Sequence, residues 1–271
     1  MLTGRRMLLK SLLAGLGAVW LPLPAMAQGP SVEIVLGKRS AQSSPRICGC
    51  AKHGGGNIKV EHPSPDTVVV TMTGVAVAYC TPTRCCSSGY DANLTQCFTI
   101  KFNDDTVKKA KLLLEGRVVG VLRSHCKGNG SASLNTATAS VGCDHGGDLL
   151  SICLPAHSAC GGKNFSINDQ DGPYCLPVLE GCYTLNQCFS ICASAPRCLL
   201  PCKAPSAEFA PNALDPLWIS PKDPFYGASK EEFGFQITLK VVPDDDKNDY
   251  MPAAPSAEPI LPPKVINDMG Y

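Results

Sequence analysis

The sequence predicts a mainly β protein, an immunoglobulin-like or jelly-roll-type β-sandwich with a disulfide-rich loop region inserted between two of its strands. Three observations carry this expectation. Between Val32 and Val141 apolar residues alternate with polar ones in short runs separated by glycine, proline and small polar residues, the period-2 pattern of half-buried strands. All 16 cysteines lie beyond an N-terminal apolar leader, and they crowd the stretch after residue 142. Strict alternation then returns near residue 233, in a segment whose apolar side needs a sheet to cover.

Residues 1–27 have the parts of a cleavable signal peptide. Arg5, Arg6 and Lys10 supply a basic start, an apolar run follows, and Ala25-Met26-Ala27 offers small residues for cutting after Ala27. Pro22 and Pro24 break the end of the run, which is too short to anchor the chain in a bilayer. Arg5-Arg6-Met7-Leu8-Leu9-Lys10 resembles the bacterial twin-arginine export signature, and the resemblance implies a cargo that folds before export. The expected destination is the periplasm or the exterior of a bacterium, with no transmembrane anchor after cleavage.

Residues 28–142 are expected to supply most of the sandwich. Val32, Ile34 and Leu36 share one side of a strand, as do Val68, Val70 and Met72, and Phe98, Ile100 and Phe102. Gly74 interrupts an apolar run and suggests a bulge or a change of face. Glu115-Gly116, between Leu112–Leu114 and Val118–Leu122, reads as a tight hairpin turn. Ala132–Val141 is extended in character and rich in Ala, Ser and Thr, which favours close packing.

Residues 143–229 read as the cysteine-rich insertion, because no period of 2 or 3.6 is sustained there. Within it, Leu185–Ala193 reads as two helical turns that place Cys188 and Cys192 on one face. The strand at 230–242, with Phe233, Phe235, Ile237, Leu239 and Val241 on one side, returns to the sandwich. Residues 243–271, rich in proline and acids, form an expected disordered tail.

Charge excludes one class of partner. Loss of Arg5, Arg6 and Lys10 takes the formal charge from +1 to −2, and no basic cluster follows, so nucleic acid is not expected. In an exported chain the cysteines read first as disulfide partners: Cys48, Cys50, Cys80, Cys85, Cys86, Cys97, Cys126, Cys143, Cys153, Cys160, Cys175, Cys182, Cys188, Cys192, Cys198 and Cys202. Such a framework suits a binding or structural protein that presents rigid loops to an envelope protein or an extracellular ligand, with no cofactor.

Two other chemistries stay open. Cys50, His53, Gly54 and Gly55 are echoed by Cys143, His145, Gly146 and Gly147. Thiolate and imidazole suit zinc or copper, so these two segments would form a metal or metalloredox site if they met in space. Catalytic motifs such as Gly-x-Ser-x-Gly and His-Glu-x-x-His are lacking, which leaves a hydrolase only through a triad assembled from distant residues.

Overall fold

Alternation persists far longer in space than the short sequence runs imply. The computed structural model describes residues 31–48, 53–78, 85–124, 130–143, 147–197, 207–210 and 234–244. In chain order its strands are β1 Val32–Cys48, β2 His53–Ser64, β3 Thr67–Ala78, β4 Cys86–Phe102, β5 Ala110–Ser124 and β6 Ser131–Cys143. β7 Asp148–Cys153, β8 His157–Cys160, β9 Asn164–Val178, β10 Gly181–Ala195, β11 Ala207–Ala210 and β12 Phe235–Pro243 follow. No helix occurs among the described residues.

The strands form two antiparallel sheets packed face to face as a sandwich. The front sheet has the order β1-β4-β10-β6-β7, with β8 also paired to β6. The back sheet runs from β2 through β3 to β5 and β9, and β11 and β12 lie between β3 and β5. β11 fills the upper part of that lane, with Ala210 opposite Val121, and β12 fills the lower part, with Phe235 opposite Val118. One lane of the sheet is thus completed by two separate pieces of chain.

The core is the sum of the inward halves of these strands. Val68, Val70 and Met72 on β3, Leu112, Leu114 and Val118 on β5, and Phe235, Ile237 and Leu239 on β12 are buried against Tyr90, Leu94, Phe98 and Ile100 on β4 and Leu185, Phe189 and Ile191 on β10. Burying a side chain of this size contributes about 1.5–3 kcal/mol. At the centre, Phe189 stacks on Phe235 with ring centroids 6.2 Å apart.

Gly74 does not mark a bulge. β3 passes through it in register with β2, and it is buried facing the other sheet. A Cβ there would lie 2.9 Å from side-chain atoms of Ile191, Phe189 and Tyr90, so glycine is the notch into which the front-sheet aromatics press. The expected hairpin at Glu115-Gly116 is likewise replaced by one unbroken strand, β5, with an irregularity opposite β9 between Leu114 and Gly116. A Cβ on Gly116 would stand 2.9 Å from Ile152, so this glycine also serves close packing rather than a turn.

The largest difference concerns residues 143–229. Instead of irregular loops, β7, β8, β9 and β10 are found there, and β10 lies between β4 and β6. Leu185–Ala193 is strand and not helix, since Leu185, Phe189, Ile191 and Ala193 enter the core at even spacing. The sequence-predicted leader and nearly all of the tail lie outside the described residues.

The connections from β1 to β2, β3 to β4, β5 to β6, β8 to β9 and β10 to β11 leave one end of the sandwich, here the upper end. Those from β2 to β3, β4 to β5, β6 to β7 and β9 to β10 leave the lower end.

Candidate functional site

With Leu185, Phe189 and Ile191 turned inward, β10 carries Thr184, Asn186, Cys188, Ser190, Cys192 and Ser194 on its other side. Neighbouring strands do the same, and register aligns them into rows across the outer face of the front sheet. Gln42, Asn93, Cys188, Thr138 and Cys153 form one row. Ser40, Thr95, Asn186, Ser140 and Ser151 form the next, and Cys48, Ser87, Ser194, Ser131 and Cys160 form the row at the upper end.

Charge within these rows is self-neutralised. Arg46 Nε lies 2.8 Å from Asp91 Oδ2, Arg46 Nη2 donates to Asp91 Oδ1 at 2.9 Å, and Ser190 Oγ donates to the same oxygen at 2.7 Å. Thr95 Oγ1 donates to Asn186 Oδ1 at 3.0 Å, so hydroxyl and amide groups are cross-linked along a row. The surface offers both donors and acceptors, and Glu33 and Lys101 face each other at its lower end.

The outer face of the back sheet is different. Lys59 pairs with Glu61 at 2.7 Å, Lys111 with Asp244 at 2.7 Å, and Arg117 Nε donates to Asn168 Oδ1 at 3.0 Å. Nearer the upper end Val77, Val119 and Val121 stand apart from the main core yet are buried, beside Arg123 at 1% exposure. At the lower turn Asp66 accepts from Ser64 Oγ at 2.5 Å and Thr67 Oγ1 at 3.1 Å. Partial burial raises the Asp66 carboxyl, but these hydrogen bonds, its own backbone N–H and the Lys240 charge outweigh it and hold the group below its ordinary value.

The expected disulfide framework is not formed among the described residues. Cys48, Cys85, Cys97, Cys143, Cys153, Cys160, Cys175, Cys182, Cys188 and Cys192 are free thiols, and Cys86 is buried at the start of β4. Register explains it. Cys188 faces Asn93 and Thr138, Cys192 faces Gly89 and Ser133, Cys182 faces Thr99 and Cys97 faces Thr184. Cys97 and Cys182 are diagonal neighbours, about 7–8 Å apart at Cα, beyond the usual disulfide range. Cys175 lies on β9, where burial pushes its thiol up, Lys111 opposes this and Asp244 adds to it. Cys50, Cys80, Cys126, Cys198 and Cys202 lie outside the described residues.

The proposed metal ligands are not brought together by the described backbone. His53 begins β2 at the upper end, opposite Val77, whereas Cys143 ends β6 at the lower end, opposite Tyr183. The 13-residue β6 that separates these ends is about 40 Å long. Cys50, His145 and the side chain of His53 lie outside the described residues, which contain no group of three or more His, Cys, Asp and Glu arranged for a metal ion.

Two further features were not foreseen. His157 Nε2 on β8 lies 2.5 Å from Asp169 Oδ2 on β9, a carboxylate–imidazole pair that ties the two sheets at their edge. At the lower end a shallow hollow of about 340 Å³ is lined by Phe102, Asp104, Asp105, Val107, Lys108, Leu179 and Glu180. The Asp104 carboxylate is occupied by Thr106, whose N–H and Oγ1 donate at 2.8 and 2.7 Å and hold it below its ordinary value.

The front face itself was readable in principle. Ser, Thr, Asn and Cys occupy alternate positions through β4, β6 and β10, but a search for chemistry-bearing motifs passes over a pattern of neutral hydroxyls. No family model matches the chain, and no curated protein matches it.

Proposed function

We propose that this chain is an exported binding or structural protein of the cell envelope, a sandwich of immunoglobulin-like or jelly-roll type that presents a rigid surface to a protein or extracellular ligand. The observation that carries this reading is the outer face of the front sheet, a five-strand array of hydroxyl, amide and thiol groups with paired charges such as Arg46–Asp91 among them, backed directly by the core. Side chains held on a packed sheet lose little further freedom on binding, so such a face is pre-organised. The leader at 1–27 supports export.

Expression of the full chain with its own leader in a bacterial host tests the reading. N-terminal sequencing of the exported fraction is expected to give Gln28 as the first residue, and the exported protein is expected to be retained by envelope material. Export blocked by replacing Arg5 and Arg6 with lysine would identify the twin-arginine route. Uncut protein confined to the cytoplasm would overturn the proposal.

A further inference from the structure

The hollow at the lower end of the sandwich has fixed walls and an apolar floor. Phe102 and Val107 form the floor and pack on the lower end of the core. One wall is the turn after β4, closed by Val107 N–H on Asp104 O at 3.0 Å and by Thr106 on the Asp104 carboxylate. The other is the β9–β10 turn, where Tyr183 Oη donates to Leu179 O at 2.9 Å and accepts from Leu179 N–H at 3.2 Å. This latch fixes the backbone of Leu179 while its side chain stands 62% exposed, the highest value for a large apolar residue among the described residues. On the rim, the carboxylates of Asp105 and Glu180 have no partner among the described residues.

We propose that the hollow is the docking site of a segment of the chain's own C-terminal tail, Pro259-Ile260-Leu261-Pro262-Pro263-Lys264, with Leu261 against Phe102 and Leu179 and Lys264 beside the Asp105 and Glu180 carboxylates. Residues 245–271 lie outside the described residues. The hollow is at the lower end of the molecule, so its occupancy does not depend on what the front face binds.

Position selects this occupant first. Val178, Ala110 and Pro243 form one row across β9, β5 and β12, so the tail leaves the sheet two strand spacings, or about 10 Å, from the turn that carries Leu179. Its start is pinned there, with Asp244 N–H on Lys109 O at 3.0 Å and the Asp244 carboxylate 2.7 Å from Lys111 Nζ. Pro259 follows 15 residues later, and a chain of that length reaches up to about 50 Å. Such a tether gives an effective concentration of about millimolar, which closes a contact too weak to hold a free peptide.

Composition selects it again. Ile260 and Leu261 are the first Val, Ile, Leu or Phe residues after Val242, and burying them removes apolar surface on both sides of the contact. Pro259, Pro262 and Pro263 fix their own φ angles, which lowers the ordering cost of docking. Lys264 brings a cation to a rim where Asp104, Asp105 and Glu180 outnumber Lys108.

The full chain, taken as its monomeric fraction, is to be coupled with a carbodiimide, which joins an amine to a touching carboxylate without a spacer, and then mapped by peptide mass. A link from Lys264 to Glu180 or Asp105 is expected. Leu261→Asp and Leu179→Asp are each expected to lower its yield at least tenfold with an unchanged far-UV spectrum. The Val107 methyl resonances are expected to move in Leu261→Asp and to return when a synthetic peptide of residues 256–267 is added at millimolar concentration. An equal yield in both variants, or no link together with unmoved methyls, would overturn the proposal. A mixture of isotope-labelled and unlabelled protein tests the origin of the tail: links shared between labelled and unlabelled copies would put a second copy's tail in the hollow and overturn docking within one chain.

Discussion

Across the front sheet, Gln42, Asn93, Cys188, Thr138 and Cys153 lie in one row without a formal charge, whereas the back sheet sets Lys59 against Glu61 and Lys111 against Asp244. Both faces are the outer sides of strands whose inner sides build the same core. The difference therefore cannot come from folding demands, which fix only the inward residues. Alternation leaves the outward positions nearly free, so the neutral row through Cys188 and the ion pairs Lys59–Glu61, Lys111–Asp244 and Arg46–Asp91 are set by what each face meets rather than by the core.

Removing what the two faces share should give the largest effect. Phe189 sits between the sheets, stacked on Phe235 and pressed against Gly74 and Gly234. Phe189→Ala is expected to cost about 4 kcal/mol in denaturant unfolding and to loosen both faces together. A loss below about 1 kcal/mol would mean that the seam does not join the sheets.

The next test separates the faces. Val121 on the back sheet is buried although it stands apart from the main core, while Asn186 on the front is exposed. Val121→Asp is expected to cost about 3 kcal/mol and Asn186→Asp less than about 0.5 kcal/mol at low protein concentration. Equal losses would show that the two outer faces are covered alike.

The smallest effect sharpens the electrostatic side. Asp66 has a folded value held below its ordinary 3.8. Its contribution is therefore complete above the ordinary carboxyl value and is lost as pH falls through the lower, folded value. Asp66→Ala is expected to cost about 1 kcal/mol near neutrality, from the Ser64 and Thr67 hydrogen bonds, and to flatten the acid limb of the stability curve. An unchanged acid limb would assign that titration to other carboxylates.

How far the sequence was legible follows from the same division. β3 and β12 were visible because outward Thr, Gln and Lys contrast with inward Val, Ile and Leu. β10 was hidden because Cys188 and Cys192 point outward, where cysteine counts as apolar, and Gln187 lies inside the sandwich at 0% exposure. Gly74 and Gly116 read as punctuation, yet they make room for Phe189 and Ile152, neighbours that only the tertiary fold supplies. The two Cys-His-Gly-Gly segments look alike in one dimension, but likeness carries no information about which end of a strand each occupies. Disulfide pairing was illegible for a similar reason, since cysteine counts are silent about register.

The lane shared by β11 and β12 has an evolutionary consequence. Ala210 and Phe235 are register partners of Val121 and Val118, three residue steps apart on β5, or about 10 Å. Each strand of the lane is held by its own pairs with β3 and β5. Substitutions can therefore accumulate in one of the two pieces, β11 or β12, while the other keeps its place in the sheet.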